Sequence, residues 1–321
     1  MRYGMPYQGS KNQIARWVID NLPKDKILVD LFAGGCAVTH AAMLSGKWDR
    51  IVANDIGDAP ELFCDAIDGK YADEKRWISR EDFQNLKNTN PYVSLCWSFD
   101  NNRRTYLYAQ EVESWKKALH YARVFGDNSL LLEMGIDSDG SPADIKANEA
   151  EYKEKYIRWW LSKQKYTSAE LVRLYRLRQR LERLQRLQRL QRLQSLQSLQ
   201  RLQSLQSLQK YKNNLTITRK SYADVAVPDN AVVYADPPYK GTDITGYKCE
   251  FDYGEFENWL AAVPFMVIVS EYNAPAGCVE IASIKKRSLL GRGNKGGTNT
   301  EKLFVQERFY NEYLQKMGRL F

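Results

Sequence analysis

A chain of 321 residues that is 44% hydrophobic and 27% charged can bury a large core and carry a second, inserted unit, which excludes disorder as the default. Its formal net charge of +8 favours a polyanionic partner, because phosphate contacts by Lys and Arg release counterions. Five scattered cysteines with no C-x-x-C pair and only two histidines, His40 and His120, argue against a disulfide framework, a zinc site or a histidine triad.

Met1 to Lys11 lacks the basic segment, apolar run and small-residue cleavage site of a secretory leader. No stretch approaches the roughly eighteen uninterrupted apolar residues of a membrane span, so a cytoplasmic protein is expected. Ile14, Val18 and Leu22 recur at i, i+4 and i+8, which predicts an amphipathic helix over Asn12 to Leu22, stopped at Pro23. Ile27 to Phe32 reads as a strand ending at Ala33-Gly34-Gly35, and Ala37 to Leu44 as a helix. Arg50 to Ala53 is a second strand, whose carboxyl end delivers Asn54 and Asp55; together these form a β-turn-α-β unit.

From about residue 60 to 214 the chain turns rich in Trp, Tyr, Arg and Lys, has a polar loop at Asp137 to Asp144, and loses the βαβ rhythm. It reads as an insertion. Leu181 to Leu208 carries leucine at every third position, and three-residue steps of about 100° per residue slip around an α-helix, so no single apolar face results. The bland reading is an expanded helical repeat, partly solvated and tolerated in an insertion; the rival is a DNA-facing or self-associating helix bearing Arg183, Arg186, Arg189 and Arg192. Strand patterns return at Ala231 to Ala235, Phe265 to Val269 and Val279 to Ala282, as though a sheet begun before residue 56 were being completed. The expectation is an α/β fold with a discontinuous core, residues 1–60 and 215–321, interrupted by a largely helical domain, 61–214, that includes the repeat over 181–209.

Asp236-Pro237-Pro238-Tyr239 directly follows an apolar strand, where open α/β sheets bind ligands. An exocyclic amine of a nucleobase is a poor nucleophile, its lone pair delocalised into the ring; a carboxylate and a main-chain carbonyl accepting its two N–H groups would restore electron density. Asp236 would supply the carboxylate and Pro237 the carbonyl, in a turn stiffened by Pro237 and Pro238, with Tyr239 offering a face for stacking a flipped base. In-line transfer of a methyl group from a sulfonium needs alignment and no metal. The alternative is a polar turn closing a strand. Two features favour function. Leu28 to Val38 has Gly34 and Gly35 at a strand-to-helix turn without the G-x-G-x-x-G spacing that cradles a pyrophosphate, which suits a nucleoside cofactor lacking phosphate. Asp55 follows about twenty residues on, where an acidic side chain grips ribose hydroxyls.

On these residues the chain resembles the Dam-like, adenine-specific DNA methyltransferases, which include many phage and restriction-modification enzymes. Pro6-Tyr7-Gln8-Gly9-Ser10-Lys11 is similar to the family's N-terminal cofactor motif, Leu31 to Val38 to its glycine motif, and Asn54-Asp55 and Val232 to Tyr239 to two more. Ser221-Tyr222-Ala223-Asp224 and a late basic, glycine-rich stretch, Lys286-Arg287-Ser288 to Thr298, are weaker echoes, while Gln8 and Ser10 depart from the small residues usual in the first motif. The resemblance implies a Rossmann-like methyltransferase fold, with a mixed, mostly parallel sheet flanked by helices, and S-adenosylmethionine as methyl donor. It implies a cofactor site of Tyr7, Lys11, Asp30, Phe32, Gly34, Gly35, Asp55, Tyr222 and Asp236, and a catalytic site of Asp236, Pro237, Pro238 and Tyr239.

Double-stranded DNA is the expected partner. Arg103 and Arg104 lie in an aromatic cluster from Trp97 to Tyr108, which reads either as a base-stacking and phosphate-pairing element or as the edge of an aromatic core with solvated arginines. Lys285, Lys286, Arg287, Arg292 and Lys295 read as a flexible cationic loop suited to phosphates, or as solvated surface. The rival functions are transfer to cytosine, RNA or a protein amide, whose enzymes more often carry Ser or Asn in place of Asp236, and a DNA-binding protein that retains the fold without catalysis.

Overall fold

The computed structural model describes residues 2–7, 9–163, 193–239, 251–287 and 298–319, the side chains of 286, 287, 298 and 299 excepted. Four consecutive residues of β1 (Ile27–Asp30) are all buried, as the near-continuous apolar run of a central parallel strand requires. It pairs in parallel with β2 (Arg50–Asn54) on one side and β4 (Ala231–Ala235) on the other, with Asp30 level with Ala53 and Tyr234. Outside these lie β3 (Leu215–Thr218), parallel to β2, and β5 (Val267–Glu271), parallel to β4. The sheet finishes with β7 (Thr298–Gln306), antiparallel to both β5 and β6 (Cys278–Arg287), giving the order β3-β2-β1-β4-β5-β7-β6.

Side chains of β1 alternate between two cores. Leu28 points into a large one with α1 (Ala15–Asn21) and α2 (Ala37–Ser45); Ile27 and Val29 point into a smaller one closed by Phe256 and Leu260 of the helix Tyr253–Ala262. Because β1 leads outward to β2 and β3 while β4 leads outward to β5, the strand order reverses between β1 and β4. A crevice opens there, beyond their carboxyl ends.

Two expectations change. Lys285, Lys286 and Arg287 were expected in a flexible loop, but their backbone continues β6, opposite Thr300, Asn299 and Thr298, because the unforeseen β7 supplies a ladder along β6, interrupted only by a bulge at Ile281. Arg292 and Lys295 lie outside the described residues. The three-residue spacing was expected to give no single apolar face, yet Leu199, Leu202, Leu205 and Leu208 are all buried against α3 (Ala59–Ile67) and its neighbours, while Gln200, Ser204, Gln206 and Ser207 between them are exposed. The helix Gln194–Ser204 passes into a 3-10 stretch, Leu205–Asn214, where three residues per turn stack every third side chain in one row. Of the repeat's described leucines, Leu205 and Leu208 lie in this stretch, and Leu199 and Leu202 on the α-helix before it. Arg183, Arg186, Arg189 and Arg192 fall outside the described residues.

Candidate active site

The glycine turn after β1 is built around the N-terminal segment. Gly4 and Gly34 have left-handed backbones (φ 65° and 46°), and a Cβ on Gly35 would stand 2.5 Å from the Cβ of Tyr7. Gly35 therefore makes room for Tyr7, a role its sequence position does not reveal. The segment is clamped: Met5 N–H donates to the Gly35 carbonyl at 2.7 Å, Gly4 N–H to His40 Nδ1 at 2.9 Å, and Arg201 of the repeat to the carbonyls of Gly4 and Tyr3. Burial, then the Arg201 charge, push His40 down to about 4, so it stays neutral and able to accept that bond.

Asp55 extends from β2 and accepts N–H groups from Gly34 at 2.9 Å and Gly57 at 2.7 Å. Beside it Ile56, 54% exposed, presents an apolar wall to the crevice. Asp30, at the floor, takes a 2.7 Å bond from the Thr39 hydroxyl on Oδ2, while its buried Oδ1 has no hydrogen-bond partner among the described residues. Desolvation, reinforced by the Asp236 and Asp55 charges, pushes the Asp30 carboxyl up to about 7. Phe32, Tyr222 and Phe251 line one side, with Tyr222 5.4 Å from Phe32 and 6.0 Å from Phe251 between ring centroids.

Asp236 leaves the end of β4 with 17% of its side chain exposed, toward the crevice, and the Lys11 ammonium 2.8 Å from its Oδ1. Lys11 also lies 3.3 Å from Glu301 of β7. Burial opposes the charge of Lys11, but the Asp236 and Glu301 carboxylates outweigh it and hold the ammonium well above its usual range. Burial likewise raises Asp236, with Lys11 opposing. Pro237 and Pro238 are buried, Pro238 against the crevice.

Tyr239 was expected to offer its ring to a base. Here the ring is buried: the Lys11 ammonium stands 4.4 Å from its centroid, Tyr272 packs edge-on at 4.6 Å, and its hydroxyl donates to Glu301 and lies 3.0 Å from Ser270 Oγ. Arg103 departs further from expectation. It pairs with Asp58 and lines the crevice, while Trp97, Tyr106 and Tyr108 around it are core. Arg104 and Lys285 are exposed.

Among the described residues, carboxylates of Asp30, Asp55, Asp58, Asp236, Asp252 and Glu255 line the crevice against three cations, Lys11, Arg103 and Lys220. A strongly basic chain thus has a locally acidic cleft, unsuited to a phosphate and suited to a cation.

The sequence model of one family, D12 class N6 adenine-specific DNA methyltransferase, matches residues 7–275, most of the chain. The chain belongs to that family. No curated protein matches it. As an adenine-specific DNA methyltransferase it acts on DNA, and its sheet and flanking helices are those of a methyltransferase fold. No helix among the described residues is long and apolar enough to cross a membrane. The matched span runs from Tyr7 through β5 and stops short of β7, so Glu301 lies outside it. Sequence reasoning missed Glu301, Ser270, Thr39 and Ile56; only Ile56 left a signal, an apolar residue directly after the acidic end of a strand.

Proposed function

We propose that this methyltransferase moves the methyl group of S-adenosylmethionine to the exocyclic amine of an adenine turned out of duplex DNA, at specific sites, into the crevice beside Asp236. The carrying observation is an acidic cleft at the strand-order reversal of a protein whose formal net charge is +8. The residues fit the donor: the open Oδ1 of Asp30 suits an ammonium, Asp55 can take ribose hydroxyls on its remaining lone pairs, and Ile56, Phe32 and Tyr222 offer apolar surface to a base. Tyr7, Lys11, Gly34 and Gly35 would shape the wall beside the donor's methionine part.

Bound there, the donor supplies an electrophilic methyl carbon on a cationic sulfonium. Asp236 and the Pro237 carbonyl accept the two N–H groups of the amine and turn its lone pair toward that carbon. Because Lys11 covers one face of Tyr239, stacking of the adenine on this ring requires the ammonium to move toward Asp236 or Glu301 as the base enters. Water exclusion falls to the aromatic wall and the buried Pro238.

Residues 1–60 and 215–321 form the catalytic domain in this reading, and 61–214 the target-recognition insertion. Within it α3 and 193–214 pack on the sheet's helical layer, which leaves the helices between Arg80 and Ser162 for DNA. Arg104, Lys285, Lys286, Arg287, Arg292 and Lys295 are proposed phosphate contacts, whereas the pairing of Arg103 with Asp58 favours a role at the donor cleft. The four described thiols are free, as suits a cytoplasmic enzyme. Incubating the protein with methyl-labelled S-adenosylmethionine and mixed-sequence duplex DNA tests the reading. Label recovered in adenine supports it; label in cytosine, or none, refutes it.

A further inference from the structure

Glu301 is 1% exposed, and its side chain meets Tyr239, Ser270 and Lys11, the last of which lines the crevice beside Asp236. Its Oε1 accepts from the Tyr239 hydroxyl and from Ser270 Oγ at 2.9 Å, and stands 3.3 Å from the Lys11 ammonium. Lys11, its side chain 7% exposed, is in turn 2.8 Å from Asp236. Two carboxylates thus share one buried ammonium. We propose that Glu301 is a positioning residue for methyl transfer: by sharing Lys11 and anchoring Tyr239, it prevents the ammonium from saturating Asp236 and keeps that carboxylate available to the adenine amine.

An ammonium has three donors, and in a site poor in water it directs them all to whatever acceptors remain. With Glu301 neutral, Lys11 turns wholly to Asp236, whose oxygens then face a cation rather than the amine. Tyr239 also loses its charged anchor, and its ring is freed from the position β7 imposes. Two negative charges against one positive leave a surplus that complements a positive charge arriving on the sulfonium and passing to the amine. Among the described residues the groups facing Asp236 are Lys11 from the N-terminal segment, Glu301 from β7, Tyr239 and Tyr234 at the end of β4, and Asp30 from β1. Of these Glu301 is a negative charge that raises Asp236, so its removal lowers the pH at which Asp236 ionises.

The inference rests on the assignment of Asp236 as the acceptor of the amine. Glu301→Gln keeps the shape and removes the charge. Its kcat is expected to fall roughly 10- to 100-fold with KM for S-adenosylmethionine and for DNA nearly unchanged, and the acid limb of its kcat/KM profile to move to lower pH. A purely structural Glu301 would change stability and leave that limb where it is. Glu301→Asp keeps the charge but withdraws it from Lys11; a loss of several-fold in kcat with KM nearly unchanged is expected, and if Glu301→Gln does not fold, wild-type kcat in Glu301→Asp overturns the proposal. Wild-type kcat in either folded variant, or an unmoved acid limb in Glu301→Gln, overturns the proposal. Asp236→Ala, measured alongside, separates the two ideas: turnover in that variant removes the assignment of Asp236 itself, whereas its inactivity together with a silent Glu301→Gln removes only the role of Glu301.

Discussion

Replacing Asp30 by Asn should stabilise the protein at neutral pH while weakening donor binding. Asp30 is buried at the end of β1, and its carboxyl is raised from 3.8 to about 7 by desolvation and by the Asp236 and Asp55 charges, with the side-chain and backbone hydrogen bonds of Thr39 opposing. The raised value means that the folded protein holds a proton which the unfolded chain has released. Stability attributable to this proton is complete below about pH 4 and is lost as pH rises through 7, at about 1.4 kcal/mol per unit, for a total of roughly 4 kcal/mol as an upper figure. Asn keeps an oxygen for Thr39 and never ionises, so the stability difference between variant and wild type should widen from pH 4 to 7 and level off above it. Urea unfolding of both proteins at half-unit pH steps measures this. Calorimetry of S-adenosylmethionine binding in two buffers adds a second reading: a cation placed against Asp30 lowers its pKa, so the wild type should release close to half a proton near pH 7 and Asp30→Asn none. A constant stability difference across pH 4 to 8, together with no proton release, would refute the electrostatic reasoning.

Gly35→Ala would drive a methyl group to 2.5 Å from the Tyr7 Cβ, displacing the N-terminal segment; about 1–3 kcal/mol of stability and a several-fold rise in KM for the donor are expected from melting curves and steady-state assays. Leu202→Ala, in the repeat yet fully buried, should lower stability by about 2–4 kcal/mol, and a solvent-exposed tract would instead show no change. Neutralising Lys285, Lys286 and Arg287 together should weaken DNA binding alike for all sequences and flatten its salt dependence by up to about three log units of slope, read by titration at several salt concentrations; an effect confined to one sequence would contradict it.

The sequence makes the centre of the sheet legible because β1, β4 and β5 are buried on both faces and so are written as unbroken apolar runs. Edge strand β3 and the interior strand β7, next to the other edge, are not. Leu215–Thr218 alternates Leu and Ile with threonine and is only half-buried, and Thr298–Gln306 begins with polar residues that mask its apolar end. Asp236, Asp55 and Asp30 announce themselves by standing at strand ends, a position local pattern can identify. Glu301 does not, because a carboxylate inside a strand is expected at the surface, and only pairing with β5 and proximity to Lys11, at the far end of the chain, explain its burial. Arg103 was misread for the same kind of reason: its aromatic neighbours indicate a cluster, but the ion pair with Asp58 that turns it to the cleft joins residues 45 apart. The repeat was readable as a period and unreadable as a structure: Leu199 and Leu202 are buried on the α-helix, and the next two leucines stay on the buried side because the helix tightens there to 3-10 geometry.

The most direct measurement is methyl transfer by Asp236→Ala, with donor and DNA binding determined on the same preparation. A loss of turnover of at least about 10²-fold, with both ligands still bound, is the expected result, since the carboxylate acts on the amine after docking. Turnover at the wild-type rate would mean that the amine is activated by some other group, and the account of this crevice would fail.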